Sequence, residues 1–219
     1  MLRVRLAWLG GVGSVFVVAY WLANRLTSVR SDVGHGVFAW ERAIPFVPWT
    51  IVPYLSICGF FVLSFLVGRA HAELRRHALR LLLALGVSLI CYAAFPLRFH
   101  FARPATDGLA GVLFAWLSAF DLPYNRAPSL HVSVLTILWA RFAPHTGGAW
   151  RAGLAAWFVL IGVSVLTTYQ HHVIDVPAGL LVGVLCIALA DRVAGGDKVF
   201  TSTRYARPGR LLTRGPEPS

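Results

Sequence analysis

Six stretches of low charge, each near the length of a membrane-crossing helix and separated by short arginine-bearing segments, constrain this chain more than any other feature. A helix rises about 1.5 Å per residue, so about 20 apolar residues cross a hydrocarbon core about 30 Å thick. The stretches run at approximately 6–26, 49–68, 78–98, 129–143, 151–169 and 175–194, the fourth and fifth being short or broken by polar residues. Of 219 residues 57% are hydrophobic and 13% charged, whereas about a quarter are charged in soluble domains. The expected fold class is therefore all-α: a polytopic membrane helical bundle of about six transmembrane helices with short interfacial helices. One membrane domain, 1–194, takes in all six stretches. The remainder, 195–219, is rich in Gly, Pro, Ser and Arg and reads as a basic disordered cytoplasmic tail touching anionic headgroups.

The net charge of +11 comes from twenty basic residues, of which Lys198 alone is not arginine. They cluster between apolar stretches, where topology explains them better than phosphate-backbone binding, so no nucleic-acid partner is expected. With the N-terminus inside, the inner segments hold fourteen of them: Arg3, Arg5, Arg69, Arg75, Arg76, Arg80, Arg141, Arg151, Arg192, Lys198, Arg204, Arg207, Arg210 and Arg214. The outer segments keep six, Arg25, Arg30, Arg42, Arg98, Arg103 and Arg126. The expected placement is a multi-pass protein of the cell membrane with both termini cytoplasmic. The uncharged run from Leu6 to Asn24 outlasts the roughly 7–15 residues of a signal-peptide core and predicts a retained first span. Cys58, Cys91 and Cys186 lie inside apolar stretches and predict neither a disulfide framework nor a cysteine metal site.

Two more apolar segments are too short to span. The one around 35–48 mixes Trp40, Glu41 and Arg42 with Phe and Pro and suits the membrane interface. The one at 108–120 predicts a half-inserted helix.

Polar residues then collect in three clusters that the topology assigns to the outer side, where an ionisable group at the membrane rim is a functional candidate. Phe95 to Pro104 supplies Arg98, His100 and Arg103; alone, these also suit lipid-headgroup anchors. In Tyr124 to Ser133, Pro128 and Ser129 precede an apolar run, so Ser129 opens a helix whose free N–H groups favour an anion, with His131 in the first turn beside it. Arg126 stands just before. Thr167 to Gly179 contains His171 and Asp175 in the spacing H-x-x-x-D. A carboxylate held against one imidazole nitrogen fixes the tautomer and leaves the other free to attack. Pro177 places the start of the last helix near Ile174 or Asp175, and His172 competes with His171 for the same role. Together these residues make a phosphate site with a nucleophile and an acid. The set requires no metal and no cofactor.

The motifs Arg103-Pro104, Pro128-Ser129-Leu130-His131 and Ser164…His171…Asp175 resemble, in order and spacing, those of the type 2 phosphatidic acid phosphatase family, membrane relatives of the vanadium haloperoxidases. That family carries K-x6-R-P, P-S-G-H and S-R-x5-H-x3-D. The resemblance covers 95–179 and implies a metal-independent lipid phosphatase, working through a phosphohistidine, with catalytic His171, His131 and Asp175 and substrate-binding Arg103 and Ser129. The family's first Lys falls on Pro96 and its third-motif Arg on Val165, and Leu130 replaces Gly. Arg98 and Arg126 stand near enough to substitute for the two missing cations. These departures resemble the inositol phosphorylceramide and sphingomyelin synthase branch, in which an alcohol replaces water as acceptor. The implied partners are a lipid phosphate and membrane lipids. Two other classes compete: a haem- or quinone-binding protein using His100, His131, His171 and His172, and a non-catalytic transporter or scaffold.

Overall fold

The computed structural model describes residues 1–68 and 70–193, so the expected tail at 195–219 lies outside the described residues. Seven α-helices follow one another: α1 (Leu2–Ser28), α2 (Ile51–Ser64), α3 (His71–Ala94), α4 (Gly108–Phe120), α5 (Leu130–Phe142), α6 (Gly148–Thr167) and α7 (Asp175–Val193). Among the described residues no strand forms; extended pairing is limited to the isolated bridges Gly34 with Leu97 and Arg98 with Tyr124. The chain is thus all-α.

Four helices, α1, α3, α6 and α7, are long and apolar enough to cross a membrane, and two shorter apolar helices, 48–64 and α4, accompany them. Two of the expected six fall short: 49–68 is helical only over 48–64, and 129–143 is shorter still. There α5 has 13 residues and at about 1.5 Å per residue reaches only about 20 Å. Its limits are local: Ser129 caps the start, and Pro144 sits in the 3-10 turn Ala143–His145 that ends it. Most of its side chains are buried, because α5 packs against α2, α3, α6 and α7 and forms the middle of the bundle. A helix wrapped in protein does not have to match the thickness of lipid. The expected short segments appear as the half-length helix α4 and, within 35–48, the 3-10 turn Ala39–Ala43.

One large apolar core joins α1, α2, α3, α5, α6 and α7 through residues such as Leu81, Ile137 and Ile161, none of them exposed. A second, smaller cluster contains Ile51, Tyr54, Phe114, Leu117, Val132 and Val165. Helices α5 and α7 approach each other closely. A Cβ on Gly183 would stand 2.7 Å from the Thr136 Cβ, and one on Gly179 would collide with the Ser129 carbonyl. Small residues one turn apart let two backbones meet in this way.

The antiparallel order sorts the polar residues between the two ends. At one end Arg80 pairs with Asp191 at 2.6 Å, while Arg141 and Arg5 donate to the carbonyls of Ser64 and Leu66 at the end of α2. Positive charge suits those unpaired helix-end carbonyls. The other end gathers the three polar clusters. Tyr20 and Asn24 of α1 hold the Asp121 carboxylate at 2.9 and 3.3 Å, and Tyr92 of α3 donates to the Pro128 carbonyl at 2.9 Å.

Candidate active site

The turn between α6 and α7 is built by backbone hydrogen bonds. After Thr167 the Thr168 N–H and hydroxyl both return to the Ser164 carbonyl, and the N–H groups of Gln170 and His171 converge on the Val165 carbonyl at 3.1 and 3.0 Å. Val165 is fully buried. At the position where the resembled family has arginine, this chain therefore has a core side chain whose carbonyl anchors the histidine. Helix α7 begins at Asp175, where a carboxylate is favoured by the helix dipole, and its Oδ2 accepts the His172 N–H at 2.8 Å. His171 itself precedes the helix, so the H-x-x-x-D contact arises from a capping turn rather than from a helical face.

His171 Nδ1 lies 3.1 Å from the Arg126 carbonyl oxygen and 3.3 Å from Asp175 Oδ2. Both neighbours are pure acceptors, so Nδ1 carries a proton, and in the neutral ring the lone pair is on Nε2. His171 is buried, and its Nε2 has no hydrogen-bond partner among the described residues.

His172 is used differently. Its Nδ1 lies 2.7 Å from Glu41 Oε2, and its Nε2 accepts the His100 N–H at 3.1 Å. With a carboxylate on one nitrogen and a donor on the other, His172 is a neutral imidazole with no lone pair to spare. Of the two adjacent histidines, only His171 keeps a ring nitrogen without a partner among the described residues. Buried Glu41 also accepts the N–H groups of Val173 at 3.2 Å and Phe38 at 3.0 Å. Spacing cannot reveal a partner 131 positions away. The one available signal was an acid in a mostly apolar, aromatic segment.

Ser129 caps α5 as its sequence context predicts. Its Oγ accepts the Val132 N–H at 3.3 Å and its own N–H donates to the Asp175 carbonyl at 3.1 Å, which joins the second and third clusters directly. The Ser133 hydroxyl lies between the carbonyls of Ser129 and Gly179, at 3.0 and 2.9 Å. His131 follows in the first turn, within electrostatic range of His171, with its Nε2 enclosed and unpartnered. Its ring stacks on Tyr54 at 4.2 Å between centroids and 19° between planes. Tyr54 was not singled out from the sequence, where it is one more aromatic residue in an apolar run. Leu130, in place of the family's glycine, packs into the main core.

The three arginines have separate fates. Arg103 donates to the Thr168 carbonyl and the Ser118 hydroxyl, both at 3.3 Å, and lies 4.6 Å over the Phe114 ring. Burial lowers its pKa from the ordinary guanidinium value. Arg126, expected to face substrate, instead clamps the loops through the carbonyls of Gln170 and Leu122, at 2.5 and 2.7 Å, and is 2% exposed. Neither Arg103 nor Arg126 has a carboxylate within 4.0 Å among the described residues. A buried cation without an anion favours binding one. Arg98 is exposed; its backbone pairs with Gly34 and Tyr124, and its side chain makes no hydrogen bond or ion pair among the described residues. Pro96, at the position of the family's lysine, is buried and offers only its carbonyl, to Gly34.

The geometry thus gathers His171, Asp175, Ser129 and the Arg126 backbone, with His131 in the first turn of α5 and Arg103 joined through Thr168. It leaves Arg98 outside. Among the described residues no group of three or more His, Cys, Asp or Glu side chains converges as a metal site. Comparison with known proteins finds no family model and no curated protein that matches this chain.

Proposed function

We propose that this chain is an integral membrane lipid phosphatase that hydrolyses a lipid phosphate monoester or diphosphate at the extracytoplasmic face through a phosphohistidine at His171. The observation that carries the proposal is the state of His171: Nδ1 is committed to two acceptors and Nε2 is open, at an end of the bundle where two guanidiniums lack carboxylate partners. In the proposed membrane arrangement, the segment 48–64 and α5 complete a six-span bundle with the four longer helices, α4 is half-inserted, and both termini are cytoplasmic. The arginine distribution between the two ends supports that orientation.

Arg103 and the N-terminus of α5 at Ser129 hold the phosphate, and Arg126 contributes through the field of its buried charge. His171 Nε2 attacks phosphorus in line, forming the N–P bond as the P–O bond to the lipid breaks. Asp175 stabilises the resulting positive ring through Nδ1–H. His131 gives its proton to the departing alkoxide. It then takes a proton from the incoming water, whose oxygen attacks the phosphohistidine and restores His171. Replacing water with an alcohol turns the same first half-reaction into phosphoryl transfer to lipid or polyol, the alternative reading.

The test is phosphate release from a panel of lipid phosphates by the purified protein in detergent and EDTA, with and without an alcohol acceptor. Release without an acceptor supports the phosphatase; product that forms only with one supports the transferase. Turnover of no substrate in either format overturns both. Within the active enzyme, Arg103→Ala is expected to lower kcat/KM by about 100-fold, well beyond the effect of Arg98→Ala, whose charge acts across screening solvent. Equal losses would place Arg98 in the phosphate site.

A further inference from the structure

Of the imidazoles of the second and third polar clusters, His131, His171 and His172, two are held by hydrogen bonds. His171 is fixed through the Arg126 carbonyl and Asp175, and His172 through Glu41 and the His100 N–H. His131 has no hydrogen bond on its enclosed Nε2. A general acid works only when its proton points at the leaving oxygen, and no hydrogen bond among the described residues fixes the plane of this ring. The contact that restrains it is the face of Tyr54, nearly parallel at 4.2 Å.

Tyr54 is well placed to act as a fixed wall. It lies in the first turn of α2 and is 6% exposed, packed in the cluster of Ile51, Phe114, Leu117, Val132 and Val165. The start of α2 is tied to the end of α6 by Thr50 Oγ1 against Thr167 Oγ1 at 2.8 Å and by the Val47 N–H on the Thr167 carbonyl at 2.8 Å. The Tyr54 hydroxyl makes no hydrogen bond among the described residues, and the ring face is what meets His131.

We infer that Tyr54 is the positioning residue for the general acid: its ring sets the plane of His131 so that the proton reaches the departing alkoxide. The inference rests on the phosphatase reading above. It gives a signature that a merely structural role does not, because protonation matters for a poor leaving group and little for a good one. The measurement is alcohol or phenol release by the full-length protein in detergent, from an alkyl phosphate and from p-nitrophenyl phosphate, with glycerol present as acceptor. Tyr54→Leu is expected to slow the alkyl ester about 10- to 100-fold and the aryl ester less than about threefold, the same selective pattern as His131→Ala. Tyr54→Phe, which keeps the ring, restores the alkyl rate. Tyr54→Met replaces the leucine variant if that protein does not fold. Equal losses on both substrates, or a phenylalanine variant as impaired as the leucine one, overturn the assignment. A wild type inactive on both overturns the phosphatase reading itself, and a His131→Ala variant without preference between them overturns His131 as the acid and the assignment of Tyr54 with it.

Discussion

Alanine at His171 is expected to reduce phosphate release by roughly three or more orders of magnitude, because it removes the nucleophile on which both half-reactions depend. The loss should fall on kcat, with the protein still folded: His171 contributes one buried ring and hydrogen bonds to Asp175 and the Arg126 carbonyl. Enzyme quenched in alkaline detergent should carry base-stable, acid-labile label from a phosphate-labelled substrate in the wild type and none in the variant. Label retained in His171→Ala but lost in His172→Ala would move the nucleophile to the neighbouring ring. The geometry argues against that result, since both nitrogens of His172 already have partners.

Valine at Gly179 is expected to destabilise the protein by about 1–3 kcal/mol and to disable the site as well. The new side chain meets the Ser129 carbonyl and the Val132 Cβ, both backbone-anchored parts of α5, so the two helices must separate. Separation pulls Ser129, which donates its N–H to the Asp175 carbonyl, away from the turn that holds His171. Thermal unfolding in detergent, read beside activity, checks both effects. Gly153→Ala serves as the control. Nothing lies within 4 Å of a Cβ there, and alanine in the middle of α6 is neutral or slightly stabilising. Unchanged melting of Gly179→Val would mean that α5 and α7 do not approach as closely as described.

The helices were legible where their periodicity and caps are local. Ser129 after Pro128 marks a helix start because an N-cap depends on residues within one turn, and the capping bond to the Val132 N–H follows. The beginning of α7 at Asp175 was legible for the same reason, from Pro177 in its first turn. The length of α5 was not, since hydropathy measures apolarity and cannot tell burial in protein from burial in lipid. The roles of the arginines were harder still. Arg98, Arg103 and Arg126 are the same residue type at the same predicted rim, yet one is exposed, one reaches α4 and one clamps two loops. A guanidinium on a long flexible chain takes its role from whatever carbonyls the tertiary fold brings near.

By itself the sequence determined the helical class, the apolar lengths, the helix-starting Ser129 and the His171 to Asp175 spacing, all of which follow from neighbours along the chain. Only the tertiary structure decided that His172 is occupied by Glu41 and His100, that Arg126 is a clamp, and that His131 rests on Tyr54. Those contacts join segments tens of residues apart. Whether an imidazole nitrogen is free depends on which donor or acceptor the folded chain sets against it.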